Sequence, residues 1–220
     1  MKRVLVVVAH PDDEVLGCGG TIAKHVKNGD RVDLLVLGGG VGARGGASDL
    51  QARLGMLERS CALLGISSTA VHDFPDNAYD SLPRLSLVQA IEKALGHYNP
   101  EIIYTHFFGD LNIDHQVTHH ALMTAARPQP SSSVKAILCC EVPSSTEWQT
   151  PSLSPFMPNY FVDIGTTLEQ KNQALLAYGE ELRDAPHARS MEKILSLASW
   201  RGGSIGVEFA EAFTVARILT

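Results

Sequence analysis

Residues 4–14 read VLVVVAHPDDE and join an apolar strand to a cluster of ionisable side chains. The unbroken apolar run at 4–9 is typical of a strand that is buried on both faces of a parallel sheet. Ligands of open α/β sheets bind in the crevice at the carboxyl ends of such strands. An imidazole and three carboxylates are costly to bury there unless they bind something, so we predict a functional site at residues 10–14. A helix N-terminus alone would explain the acidic residues and the proline, but not His10.

The rest of the chain alternates predicted strands with predicted helices. We expect strands at 4–9, 31–37, 69–73, 101–106, 134–139 and 160–164, and helices at 17–28, 48–64, 84–97, 114–126, 167–180 and 188–200. This order, with polar residues after successive strands, predicts an α/β, doubly wound, mostly parallel sheet with helices on both faces. We expect residues 160–164 to form an edge strand and the last two helices to close the chain. The length fits one domain spanning residues 1–220.

The composition of the chain argues against several kinds of partner. The chain has 220 residues and a formal net charge of -6, and its lack of Lys/Arg runs argues against a nucleic-acid partner. Its apolar stretches fall short of the ~18 residues that a membrane span needs. The N-terminus enters the first strand without a signal-peptide pattern, so we expect a cytoplasmic protein. The four cysteines form no CxxC pair and are expected to be buried thiols.

Two glycine-rich segments raise the question of nucleotide binding. The segment 38–46 lacks the Walker Lys-Ser/Thr, and residues 17–20 (GCGG) miss the dinucleotide spacing. A nicotinamide or nucleotide site is therefore not favoured.

The ionisable residues indicate a metal site. His10 and Asp13 are three residues apart at the start of a helix, so their side chains can reach one point. A second polar cluster, at residues 110–115, follows the strand that ends at His106 and would bring His115 to the same crevice. Two imidazoles and one carboxylate suit a catalytic zinc ion with an open position for water, although Fe²⁺, Co²⁺ or Mn²⁺ also fit. Asp12 is placed to take the proton of that water, which predicts metal-assisted hydrolysis.

These residues resemble the PIG-L/LmbE-like family of zinc-dependent de-N-acetylases. Residues 9–14 match the family's AHPDDE motif, and residues 17–20 match the small-residue run behind it. Further similarity at 114–115, 186–190 and 208–213 extends the resemblance over essentially the whole chain.

The resemblance implies a Rossmann-like fold, a zinc ion held by His10, Asp13 and His115, and Asp12 as the general base. Asp114, which precedes His115 in the matched motif, is placed with the catalytic residues. The expected substrate is a small-molecule conjugate of an N-acetylated amino sugar such as N-acetylglucosamine, which would be hydrolysed to acetate and the free amine. Several family members form trimers or hexamers, so the resemblance allows a homo-oligomer.

One position departs from the family pattern. Many members carry His-Pro-Asp-His where this chain has Asn112, Ile113, Asp114 and His115. Asn112 can donate a hydrogen bond to an oxyanion but cannot protonate the leaving amine near neutral pH. We therefore predict that His187 is the general acid, with the anchoring of its loop as the alternative.

Other residues are expected to surround the substrate. Arg44 and Asp76 follow predicted strands and are candidates for binding sugar hydroxyls or a charged aglycone, while Trp148 is a candidate for an acceptor surface. Glu14 is expected to support the site through hydrogen bonds, and His119 to lie beside it rather than bind the metal. Two alternatives remain open: a metal-dependent hydrolase of another small amide, and a non-catalytic metal- or sugar-nucleotide-binding protein.

Overall fold

The computed structural model describes residues 1–39 and 47–220, and the backbone alone at 47–49. These residues form seven strands, β1 (Arg3–Val8), β2 (Arg31–Val36), β3 (Ser68–Val71), β4 (Ile102–His106), β5 (Ala136–Cys140), β6 (Tyr160–Asp163) and β7 (Ala210–Ile218). The same part of the chain forms six α-helices, α1 (Asp13–Lys27), α2 (Ala47–Leu64), α3 (Arg84–Tyr98), α4 (Ile113–Ala125), α5 (Leu168–Leu176) and α6 (Met191–Gly203).

The strands form one sheet in the order β3-β2-β1-β4-β5-β7-β6. Strands β1 to β5 pair in parallel, whereas β7 runs antiparallel to both β5 and β6. The predicted doubly wound, mostly parallel sheet is therefore confirmed. The strand order reverses between β1 and β4, and it is in the crevice at such a switch point that ligands of α/β sheets bind.

The alternation of side chains along β1 builds two cores. Val4, Val6 and Val8 pack on the face covered by α1, α2, α5 and α6. Leu5 and Val7 pack on the opposite face, against α3 and α4. All five side chains are almost fully buried, which confirms that β1 is buried on both faces. This double burial fixes the position of the loop that follows β1.

The end of the chain differs from the prediction. We expected two helices to close the chain, but β7 follows α6 and inserts between β5 and the edge strand β6. The physical reason is that β5 would otherwise expose an unpaired edge, which β7 covers in antiparallel register. The signal that the sequence analysis missed is the content of aromatic and β-branched residues in this segment: Phe213, Thr214, Val215 and Ile218.

Helix α1 is kinked at Cys18, where the backbone leaves the helical region at φ -150° and ψ 24°. The kink frees the N–H groups of Gly20 and Thr21, which donate to the buried Glu211 carboxylate at 2.9 and 2.7 Å. Lys171 Nζ contacts the same carboxylate at 2.6 Å. Glu211 therefore acts as an internal cap for the second half of α1 and ties that helix to β7.

The small residues of α1 are needed because other elements approach the helix closely. A Cβ atom at Gly17 would lie 2.6 Å from Cys140 Sγ, and one at Gly20 would lie 2.8 Å from the Ile164 side chain. The similarity of residues 17–20 to the family motif thus has a packing reason. In the described part of the chain, all four cysteines are buried free thiols, as predicted. None of the described helices combines the length and apolarity needed to span a membrane.

Candidate metal centre

The backbone of the turn after β1 is strained at Asp12. Asp12, immediately before α1, has φ 103°, a left-handed conformation that is rare for residues other than glycine. The N–H of Asp12 donates to Glu14 Oε2 at 3.0 Å, and the N–H of His10 donates to Asp13 Oδ2 at 2.9 Å. Such strain persists only where the surroundings enforce it and is typical of functional sites.

Three buried side chains converge on one point beside this turn. Asp13 Oδ2 lies 3.5 Å from His10 Nδ1 and 3.3 Å from His115 Nε2. One candidate ligand atom from each of the three residues falls within 4.8 Å of the other two. Within the described residues, Asp13 Oδ1 is buried without a hydrogen-bond partner. Two imidazoles, one carboxylate and an unsatisfied buried oxygen fit a zinc-type ion with an open position.

Each imidazole of this group is backed by a carboxylate. His10 Nε2 lies 2.9 Å from Asp114 Oδ2, and the Asp114 carboxylate also accepts the N–H groups of Asn77 and Tyr79 at 2.7 and 3.0 Å. His115 Nδ1 lies 3.2 Å from Asp110 Oδ1, at ion-pair distance but outside hydrogen-bond alignment. Carboxylates in these positions orient metal-binding imidazoles and raise their basicity.

Asp110 is fixed by the loop that follows β5. Its carboxylate accepts the hydroxyl groups of Ser145 and Thr146, the latter at 2.6 Å, and the N–H of Asn112 at 2.8 Å. Three donors from two segments leave this buried side chain little freedom. Asp110 therefore contacts both the loop at 144–148 and His115.

A third imidazole, that of His106, lies beneath the group. Its ring stacks on that of His115, with centroids 3.8 Å apart and planes within 11°. His106 Nε2 accepts the N–H of Ala9 at 2.9 Å and lies 3.5 Å from Asp13 Oδ2. His106 thus contacts both the strand end that carries His10 and the side chain of His115.

The three imidazoles differ in charge. Burial lowers the pKa of His115, but the Asp13 and Asp110 carboxylates outweigh burial and raise it to about 9. The pKa of His10 is also raised, because bonds to Asp114, Asp13 and Asp76 outweigh burial. Burial and the nearby charge of His115 lower the pKa of His106 to about 3. A metal ion that binds His115 would therefore have to displace a proton at neutral pH, whereas His106 is neutral.

Asp12 faces two arginines that come from distant segments. Arg189 Nη1 donates to Asp12 Oδ2 at 2.9 Å, and Arg53 Nη2 lies 3.5 Å from the same oxygen. Arg53 also contacts Glu181. Burial raises the pKa of Asp12, and the two guanidinium groups act against this shift. The Asp12 carboxylate is thus held by Arg53 of α2 and by Arg189 of the loop before α6.

Residues 5–126, more than half of the chain, match the family model described as PIG-L, GlcNAc-PI de-N-acetylase. The chain belongs to the PIG-L family.

Two curated relatives of this PIG-L protein are named as deacetylases. Diacetylchitobiose deacetylase from Thermococcus kodakarensis is 26% identical over 223 residues, covering 96% of this chain and 82% of the relative. The 1D-myo-inositol 2-acetamido-2-deoxy-alpha-D-glucopyranoside deacetylase 1 of Saccharopolyspora erythraea is 28% identical over 237 residues, covering 82% of this chain and 78% of the relative.

The fold of this PIG-L protein is also that of an enzyme with another activity. GalB, the 4-carboxy-2-hydroxymuconate hydratase of Pseudomonas putida KT2440, superposes with a TM-score of 0.79 at 22% identity, covering 100% of this chain and 98% of GalB. This similarity shows the fold alone, and the architecture by itself does not decide the reaction.

The remaining predicted residues of this PIG-L protein fall in several places. Asp76 lies at the metal-binding group, with Oδ1 3.1 Å from His10 Nε2. Asn112 caps α4, and its side-chain oxygen accepts the N–H of Asp114 at 2.8 Å, a structural task that the sequence analysis did not foresee. His187 is half-buried and accepts the N–H of Arg189 at 3.0 Å. Arg44 lies outside the described residues.

Two supporting residues lie as expected. Glu14 bonds Asp12, as stated above, and also accepts the hydroxyl groups of Tyr178 and Ser60 at 2.9 and 3.2 Å. His119 is buried beside the site, with Nδ1 2.9 Å from the His106 carbonyl oxygen.

The sequence analysis gave no role to Arg53, His106, Asp110 or Arg189. Two of them carried a usable signal: His106 is the last residue of β4 and Asp110 opens the second polar cluster, so both belong to the strand-end positions where functional residues gather. Arg189 lies in the matched segment 186–190, but nothing there indicates that it reaches Asp12. Arg53 sits within a helix whose pattern gives no sign of a functional residue.

Proposed function

We propose that this protein is a zinc-dependent hydrolase that removes the acetyl group from an N-acetylated amino sugar, such as an N-acetylglucosamine conjugate. The convergence of His10, Asp13 and His115, with Asp12 beside them in the same turn, carries the proposal. Membership of a de-N-acetylase family and the names of the two curated relatives support the same reaction.

Metal binding, proton transfer and orientation of the ligands fall to different residues in this proposal. His10, Asp13 and His115 would hold the ion, which supplies a Lewis acid that polarises the amide carbonyl and acidifies water. Asp12 accepts the proton of the attacking water, since its carboxylate adjoins the group but is not part of it. Asp114 and Asp110 keep the imidazoles oriented through the contacts described above.

The leaving amine also needs a proton. Asn112 uses its side-chain oxygen as a cap, so in our proposal only its amide N–H₂ is left to donate to the oxyanion. We assign protonation of the amine to His187, which connects to Asp12 through Arg189 and would first take up a second ring proton in place of the bond from the Arg189 N–H. Transfer of the same proton back from Asp12 is the alternative, and a His187→Ala variant separates them. Normal turnover in that variant, with zinc occupancy unchanged, would remove His187 from the mechanism.

Substrate contacts are assigned to the rim of the group. Asp76 is half-buried beside His10, where it could accept sugar hydroxyl groups, and Arg44 remains a candidate from the sequence. The buried free thiols suit a reducing compartment, and we place the reaction in the cytoplasm.

Release of acetate tests the proposal directly. Zinc-loaded wild type is incubated with N-acetylglucosamine glycosides, sugar nucleotides and lipid-linked forms, beside the Asp12→Asn variant and an Asp80→Asn control at an exposed carboxylate. We expect release by wild type and by the control, and a loss of at least about 100-fold in Asp12→Asn. If wild type releases no acetate while one equivalent of zinc is bound, the sugar deacetylase assignment is wrong.

The same experiment addresses the alternatives. A hydrolase of another small amide would leave the sugar panel intact but act on other acetamides. A non-catalytic binding protein needs the ligands but not Asp12, so Asp12→Asn would keep its affinity for the sugar without any turnover to lose. Both alternatives are tested because the same fold also occurs in a hydratase.

A further inference from the structure

We propose that Trp148 and His187 form a second sugar-binding subsite, which takes the pyranose ring next to the one that is deacetylated. This inference rests on the proposed function and extends it from the reacting sugar to the residue attached to it. The two side chains are hereafter called the indole platform.

The platform is tied to the candidate metal centre at two points. Arg189 Nη1 donates to Asp12 at 2.9 Å, its Nε donates to Ser144 Oγ at 2.7 Å, and its backbone N–H donates to His187 Nδ1 at 3.0 Å. Arg189 therefore links Asp12 to His187, and the His187 ring contacts the Trp148 ring. These contacts connect the platform to the candidate metal centre.

The second point is the turn that carries the indole. Thr146 to Trp148 form a 3-10 turn, in which Thr146 donates to Asp110 at 2.6 Å. The Glu147 carboxylate accepts the N–H groups of Ser144 and Ser145 at 2.6 and 3.3 Å. The turn is thus held in place before any ligand binds, and a preorganised site avoids the cost of ordering.

The chemistry of the platform fits a sugar better than an acyl chain. The rings of Trp148 and His187 meet at 87°, with centroids 5.6 Å apart, and half of the Trp148 surface stays exposed. A pyranose presents C–H groups that complement the negative face of an indole. Because His187 Nδ1 accepts the N–H of Arg189, a proton on Nε2 is available to donate to a sugar hydroxyl. An apolar surface beside a polar donor is the usual composition of a ligand site.

The kinetic test compares one sugar with two. Acetate release from N-acetylglucosamine and from N,N'-diacetylchitobiose gives the ratio of kcat/KM, disaccharide over monosaccharide. We expect Trp148→Ala to lower this ratio about tenfold, mainly through KM for the disaccharide, and Trp148→Phe to retain most of it. Trp200→Ala is the matched control, because Trp200 is an exposed tryptophan on α6, and it should leave the ratio at the wild-type value. An unchanged ratio in Trp148→Ala overturns the proposal.

A fluorescence test does not depend on turnover. The chain has two tryptophans, so a Trp200→Phe protein reports on Trp148 alone. We expect its emission to shift or quench within the mixing time on addition of the disaccharide, and much less with the monosaccharide. If neither sugar is hydrolysed, the proposed function fails on its own, and this titration still decides the subsite. Emission that does not respond to the disaccharide at millimolar concentration overturns it.

Discussion

Replacement of His106 by phenylalanine tests whether the buried imidazole beneath the metal-binding group positions its ligands. Phenylalanine can keep the ring stacked on His115, but it cannot accept the N–H of Ala9, which now reaches His106 Nε2 at 2.9 Å. An unpaired buried N–H costs about 1–3 kcal/mol, so we expect the free energy of unfolding to fall by that amount. Ala9 directly precedes His10, and relief of the unpaired group would move this ligand.

The effect on metal binding follows from the same geometry. Loss of a partner that orients a metal ligand costs about 10–100-fold in affinity, and we expect His106→Phe to weaken zinc binding within this range. Zinc affinity is measured by competition with a chelating dye, and stability by urea unfolding of the metal-free protein. His97→Phe, the same change at an exposed position of α3, is the control and should alter neither quantity beyond error.

Two results would refute this reasoning. If His106→Phe lowers stability but binds zinc as tightly as wild type, His106 is a packing residue without influence on the ligands. If both quantities are unchanged, the bond from Ala9 is not important in solution.

Three further predictions concern packing, charge and pH. Gly20→Ala should destabilise by about 1–3 kcal/mol, because its Cβ would lie 2.8 Å from a neighbouring side chain. Gly96→Ala, with open space around the new Cβ, should stabilise by about 0.5–1 kcal/mol; urea unfolding of both variants checks this contrast. Lys171→Met should lower the free energy of unfolding by about 3–5 kcal/mol, because it leaves the buried Glu211 carboxylate without its cation. A Lys171→Met/Glu211→Gln double variant that is destabilised as much as the single one would contradict this. Zinc affinity should rise about tenfold per pH unit for each displaced proton between about pH 6 and pH 9, since His115 has a pKa of about 9 and must lose its proton to bind; a flat titration by dye competition would contradict it.

The sequence predicted most of the fold because the signals for it are local. The apolar run at 4–9 is long and uninterrupted, and a strand buried on both faces can hardly form anywhere but in the middle of a parallel sheet. Strand β7 escaped prediction for the opposite reason. Its apolar residues are interrupted by Glu211, Thr214 and Arg217, and whether such a segment pairs depends on an open edge at β5 that only the assembled sheet presents.

The candidate site divides in the same way. The relation between His10 and Asp13 is fixed within one turn, and His115 follows from the pairing of β1 with β4. Arg53 and Arg189 could not be found by such reasoning. Each reaches Asp12 from a segment far along the chain, and only the packing of the helices decides which arginine points inward.

The charge balance of the centre explains why so many carboxylates are buried around two imidazoles. Asp13, Asp114 and Asp110 surround His10 and His115 and raise the pKa values of both rings, that of His115 to about 9. A divalent ion that binds His115 must displace its proton, so part of the incoming positive charge replaces charge that is already there. The carboxylates therefore face positive charge both with and without the ion, which lessens the cost of burying them.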